Sequence, residues 1–191
     1  MKLVILFSLL FSSGAYAHSA ESTAGFLEGV IHPMSGLEHL LAMVAVGILS
    51  SRFGGATIWQ IPALFIASLL IGLYLGETGF VLAYYQAGIS LSLLLLGALL
   101  LRSSTPNLLF MGGTALIFGL FHGYAHGIEI GGLINPEGFR KGFFMGSVLI
   151  HVVGVMLGMV PQNYSRFHKA MRLSGLGYIS VGVIGLSVGW L

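Results

Sequence analysis

The 191-residue sequence is 56% hydrophobic and 7% charged, with eight Lys/Arg against six Asp/Glu for a formal charge of +2. A soluble domain carries roughly 25% charged residues, so this composition excludes a soluble enzyme, a disordered chain and a nucleic-acid binder. The lack of cysteine excludes disulfides and thiolate metal sites. The chain is expected to be an all-α integral membrane protein embedded in the lipid bilayer.

In chain order, Lys2 precedes an apolar run from Leu3 to Phe11 and the small-residue triplet Ala15-Tyr16-Ala17. A basic start, a short apolar core and an A-x-A site describe a cleaved signal peptide over residues 1–17, after which the mature chain begins at His18. Residues 18–191 then read as one transmembrane domain. Its six apolar segments are Phe26–Ser50, Trp59–Gly76, Phe80–Leu101, Leu108–Ile130, Gly142–Val160 and Leu173–Trp190. One set of loops holds Arg52, Arg102, Arg166, Lys169 and Arg172, and the opposite set only Arg140 and Lys141. The first set is therefore expected to be cytoplasmic, with both mature termini periplasmic in a bacterial inner membrane. His168 falls in the first set and reads as solvated. Trp59, Tyr84, Tyr85, Tyr164 and Trp190 read as interfacial anchors.

Each half of this arrangement holds three spans, so the halves run in opposite directions, and both open with a span bearing His and Glu. A 3+3 inverted repeat follows as an expectation. In the fourth span Gly119, Gly123, Gly127 and Gly131 recur every four residues, a groove for close helix approach.

Ionisable residues inside spans are costly and mark pathways or sites. The first span carries His32, Pro33, Glu38 and His39, the fourth His122, His126 and Glu129, and the fifth His151. His122 and His126 stand one turn apart on one helix face, and Glu129 continues that face. Neutral imidazole is the commonest protein metal ligand, and H-x3-H with a carboxylate is a chelating spacing. Pro33 is expected to break the first span, with a re-entrant piece to Ile31 and a helix from Pro33 onward. Counted along the helices, His39, His122 and His151 form a middle group of ligands, and His32, His126 and Glu129 an outer group. His18, with its freed amine, is a further candidate ligand. Met34 and Met43 flank the first motif and read as apolar filler. Glu21, Glu28, Glu77 and Glu137 lie toward the outer face, where they are placed to gather cations.

At these residues the sequence resembles the HupE/UreJ family of bacterial nickel permeases. His32, Glu38 and His39 resemble the family's H-x5-D-H motif, and Phe121 to Glu129 is similar to its F-H-G-x-[AV]-H-G-x-E. Glu38 stands where the family usually has Asp, and the extra methylene moves the carboxylate by about 1.5 Å. The resemblance implies uptake of Ni²⁺, with Co²⁺ as a second cargo, for metalloenzymes such as hydrogenase or urease and their maturation machinery. It also implies that His32, Glu38, His39, His122, His126 and Glu129 are the permeation ligands.

No prosthetic group and no enzymatic reaction are expected, and a homo-oligomer is compatible with this reading. Two other classes fit the residues themselves: a membrane-embedded His-ligated metal enzyme and a metal-binding subunit that conducts nothing. The ligand types alone admit Ni²⁺, Co²⁺, Zn²⁺ or Cu²⁺.

Overall fold

A computed structural model describes residues 21–130, 133, 135–161 and 163–188. The signal segment and His18 lie outside the described residues. Among the described residues there are seven helices and no strand. They are α1 (Glu21–Ser35), α2 (Leu37–Ser50), α3 (Thr57–Glu77), α4 (Tyr85–Leu101), α5 (Leu108–Ile130), α6 (Pro136–Gly158) and α7 (Ser165–Val188).

Four of these, α3, α5, α6 and α7, are long and apolar enough to cross a bilayer, and the bent pair α1 and α2 makes a fifth span if taken as one. The apolar helix α4 has 17 residues. The protein is thus a multi-pass membrane protein, built from helices because only they satisfy every backbone group within one segment in lipid.

Local chemistry sets the helix ends. The Asn107 side chain accepts from the backbone N–H groups of Leu109 and Phe110, opening α5. Asn135 accepts from Gly138 N–H, and Pro136, which has no N–H to lose, takes the first position of α6. Several boundaries differ from the sequence expectation, among them the start of α6, at Pro136 and not Gly142. The third span is helical only from Tyr85, because the chain before it turns through Gly79 (φ 75°) and through Tyr84 in the left-handed region (φ 59°). The last helix begins at Ser165, so Arg166, His168, Lys169 and Arg172 lie on its first turns and not in a loop. His168 is half-buried, and its Nε2 meets the carbonyls of Val160 and Pro161, just past the end of α6.

The first span is broken, but not at Pro33. Helix α1 runs through the proline, whose buried ring lies against Gly146 of α6. A proline forfeits one intrahelical bond, and α1 tolerates it because only Met34 and Ser35 follow before the helix ends. The break comes at Gly36, which is extended (φ −90°, ψ 113°), and the axis turns by 81° between α1 and α2.

Three helix partnerships carry most of the packing: α3 with α5, α1 and α2 with α6, and α4 with α7. Glycines make each possible. A Cβ on Gly123 would run into the carbonyl of Leu69, and one on Gly72 into that of Leu120, so α3 and α5 touch backbone to backbone. Gly29 meets Phe139 of α6 in the same way, and Gly97 of α4 faces Gly175 of α7. Lipid tails offer no hydrophobic drive between helices, so contact of this closeness supplies the attraction. A core of Met43, Leu49, Phe65, Leu69, Leu93, Leu96 and Met111 lies fully buried between these pairs.

The bundle has two chemically distinct ends. At one, Arg140 is bound through Nε and Nη2 by the Glu77 carboxylate, and Lys141 pairs with Glu137 at 2.6 Å. At the other end stand Arg52, Arg102, Arg166, Lys169 and Arg172, with no acid among them.

Candidate metal centre

Four histidines, His32, His39, His122 and His126, gather toward the end that holds Glu77, Glu129 and Glu137. His32 sits in the last turn of α1 and His39 in the first turn of α2, on either side of the Gly36 break. Gly36 is needed here, since a Cβ on it would stand 2.9 Å from Nδ1 of His39. Helix α5 brings His122 and His126 to the same place on its buried face. The ring centroids of His39 and His126 are 4.1 Å apart, those of His39 and His122 4.7 Å, and those of His32 and His126 4.7 Å. Glu129 closes the group. Its Oε2 accepts a hydrogen bond from Nε2 of His32 at 2.9 Å and lies 3.8 Å from Nδ1 of His126.

The two depth groups read from the sequence therefore merge into one continuous cluster, His151 excepted. Counting rises along a straight first helix put His39 too far from His32 and Glu129. The 81° turn folds that length sideways and lays His39 against both α5 imidazoles. His32, His126 and Glu129 each present a ligand atom within 4.8 Å of the others, close enough to share one ion. Exposure falls along the cluster. The Glu129 side chain is 58% exposed and that of His32 25%, whereas the whole His122 residue is 0% exposed.

The unmatched nitrogens are the chemically telling feature. Both ring nitrogens of His39, both of His126 and Nδ1 of His122 are buried without a hydrogen-bond partner. A buried polar atom left unpaired costs about 1–3 kcal/mol, and native structures keep few of them. Five such atoms on three touching rings form a concave set of lone pairs and N–H groups, a composition that suits a borderline-soft divalent cation.

Ser92 of α4 sets the tautomer of His122. Its hydroxyl donates its single proton to the carbonyl of Ile89 at 2.6 Å, so at 2.9 Å it accepts from Nε2–H of His122. The lone pair of His122 then sits on Nδ1, the nitrogen left unpartnered in the cluster. Sequence reasoning passed over Ser92, although a serine in an otherwise apolar helix was a signal available to it.

The remaining predicted residues are placed differently. Glu38 does not join the imidazoles but lines a neighbouring cavity of about 540 Å³ with His39, Gln86, Ser90 and Glu129, and makes no hydrogen bond or ion pair with a described residue. His151 stands apart, with Phe65 between: the Phe65 ring is 5.2 Å from His151 and 5.9 Å from His122. The Nδ1–H of His151 donates to the Ser147 carbonyl at 2.8 Å. Met43 is core, as expected. Of the four outer acids, Glu77 and Glu137 are bound to cations, Glu28 is exposed, and the Glu21 side chain lies outside the described part. Tyr85 packs on Tyr124 at 5.0 Å instead of standing as a free anchor, and the Tyr124 hydroxyl donates to the Phe80 carbonyl.

Fold and site together define a polytopic helical membrane protein that buries a cluster of unpaired imidazoles between its helices. The HupE / UreJ protein family matches residues 5–185. Protein HupE of Rhizobium leguminosarum bv. viciae is 36% identical over 187 residues, covering 96% of this chain and 95% of that protein. The chain belongs to the HupE/UreJ family. No solved structure matches it.

Proposed function

We propose that the protein is a permease that carries a divalent transition-metal ion, Ni²⁺ first and Co²⁺ second, through the imidazole cluster toward the basic end. The observation that carries this reading is the set of buried, unpartnered nitrogens on His39, His122 and His126. Family membership supports it.

Under this reading the six-span topology holds, with α4 as the shortest span and the basic end cytoplasmic by the positive-inside rule. An inverted repeat is supported by the packing: exchanging spans one, two and three with four, five and six turns the α2–α6 partnership into α5–α3 and leaves α4–α7 unchanged. The cation arrives from the acidic end and meets Glu129 and His32, the two exposed members. There it replaces their mutual hydrogen bond with metal–ligand bonds. It sheds its remaining water as His126, His39 and Nδ1 of His122 take over. Glu38 lines the water-accessible cavity beside this step and supplies negative charge without ligating tightly.

Several moderate sites in sequence favour passage over retention. Under this reading the path beyond His122 is closed by the buried core, where Phe65 packs on the His122 ring and Met43, Leu93 and Met111 are also fully buried. Release therefore needs a second conformation, which makes the protein a carrier and not an open pore. The membrane potential supplies about 4.6 kcal/mol for two charges at ~100 mV, enough for roughly a thousandfold accumulation.

The test is radiolabelled Ni²⁺ flux into proteoliposomes. Uptake is expected with Ni²⁺ and Co²⁺ but not with Mg²⁺, a hard ion that avoids imidazole. His39→Ala and His122→Ala are each expected to lower it by about tenfold or more at unchanged protein level. Binding of Ni²⁺ with no flux would instead identify a metal-binding subunit. Flux unaffected by both substitutions would overturn the ligand assignment.

A further inference from the structure

The basic end carries a cavity of about 550 Å³ whose polar lining is Ser51, Arg52, Ser103, Ser165, His168, Lys169 and Arg172, His168 being turned to the Val160 and Pro161 carbonyls. No carboxylate lines it, and none is near in sequence: residues 39–76, 78–128 and 138–191 contain no Asp or Glu. Two of its cations are fixed in place. Arg52 donates to the carbonyls of Leu99, Leu100 and Arg102 at 3.1, 3.3 and 2.9 Å, and Arg172 donates through Nε to Leu101 at 3.1 Å. Both guanidinium groups thus converge on the end of α4, whose carbonyls offset part of their charge. Burial, and then the charge of Arg172, lower the pKa of Arg52.

Lys169 makes no hydrogen bond with a described residue, the terminal guanidinium nitrogens of Arg172 make none either, and the hydroxyls of Ser103 and Ser165 are similarly uncommitted. Ser165 also opens the 24-residue helix α7, so the positive end of that helix dipole lies in the same wall. Ile48, Leu101, Met171 and Leu173 make the apolar part of the wall, and Leu173 is 51% exposed on the outside of the bundle. A small hydrated anion does not need such a wall, whereas an amphiphile does.

We infer that this cavity binds a phosphate oxyanion, presented by the headgroup of an anionic phospholipid whose chains lie against Met171 and Leu173. Basic pockets between helices at the cytoplasmic face are the usual form of such sites. The inference is independent of the metal path, since it rests on residues at the opposite end of the bundle and is read by binding, not by transport.

The experiment is native mass spectrometry of the full-length protein in detergent, titrated separately with phosphatidylglycerol, phosphatidylethanolamine and inorganic phosphate. Phosphatidylglycerol is expected to be retained at one copy per chain in preference to phosphatidylethanolamine. Lys169→Gln is expected to weaken retention by about fivefold, and Lys169→Gln with Arg172→Gln by more, while Arg172→Lys preserves most of it. Lys169 has no bond to lose, so its single variant keeps the test sound if the double variant fails to fold. Displacement of the lipid by millimolar phosphate would confirm the oxyanion chemistry and identify free phosphate as a competing occupant. The inference is overturned if phosphatidylethanolamine binds equally. It is also overturned if Arg102→Gln with Arg166→Gln, which removes two cations of the same end from outside the cavity, weakens retention as much.

Discussion

The two ends of this bundle hold their polar groups in opposite ways. At the acidic end, His39, His122 and His126 are buried with nitrogens that meet no partner. At the basic end, Arg52 and Arg172 are tied to carbonyls that α4 could not satisfy itself. The first arrangement leaves binding capacity unspent, and the second uses charge to close a helix end. Loss of a side chain should therefore damage transport at one end and folding at the other.

The largest expected effect is at the centre of the cluster. His126→Ala removes the ring that touches both His32 and His39, and Ni²⁺ uptake should fall by about a hundredfold with the folded protein yield unchanged. A thermal-unfolding profile matching wild type, measured alongside the flux, checks both halves of that claim. At the other end, Arg52→Ala breaks three bonds to backbone carbonyls and should cost about 2 kcal/mol, roughly a thirtyfold loss in the folding equilibrium. Its flux per folded molecule should stay near wild type, and a selective loss of flux would erase the contrast between the ends.

Ser92→Ala should raise the KM for Ni²⁺ by roughly tenfold, because His122 is then free to place its proton on Nδ1. Ser92→Thr keeps the hydroxyl and should restore most of the affinity. Equal loss in both variants would make Ser92 a packing residue. The smallest effect is expected from Glu28→Gln, at less than about twofold in KM, since an exposed lone carboxylate attracts a cation weakly through water.

Much of the site was legible because cost is legible. Histidine and glutamate are expensive in a span, so His32, His39, His122, His126 and Glu129 stood out from the apolar sequence around them, and the four-residue glycine spacing announced a close helix approach along α5, though not that its partner is α3. Pro33 misled, because proline is the stronger breaker in isolation but sits close enough to the end of α1 to be absorbed there. His151 misled for another reason: depth along a helix says nothing about the side it faces, and Phe65 occupies the space between it and the cluster.

The sequence by itself determined the class and the identity of the buried ionisable residues. Those follow from transfer energies that each residue carries with it. Only the tertiary structure decided that the two depth groups, without His151, are one cluster, that Glu38 lines a cavity beside it, that Ser92 orients His122, and that Arg52 and Arg172 converge on one helix end. Each of these depends on the 81° turn at Gly36 or on contacts between helices distant in sequence. Periodicity along one helix carries no information about its rotation against another.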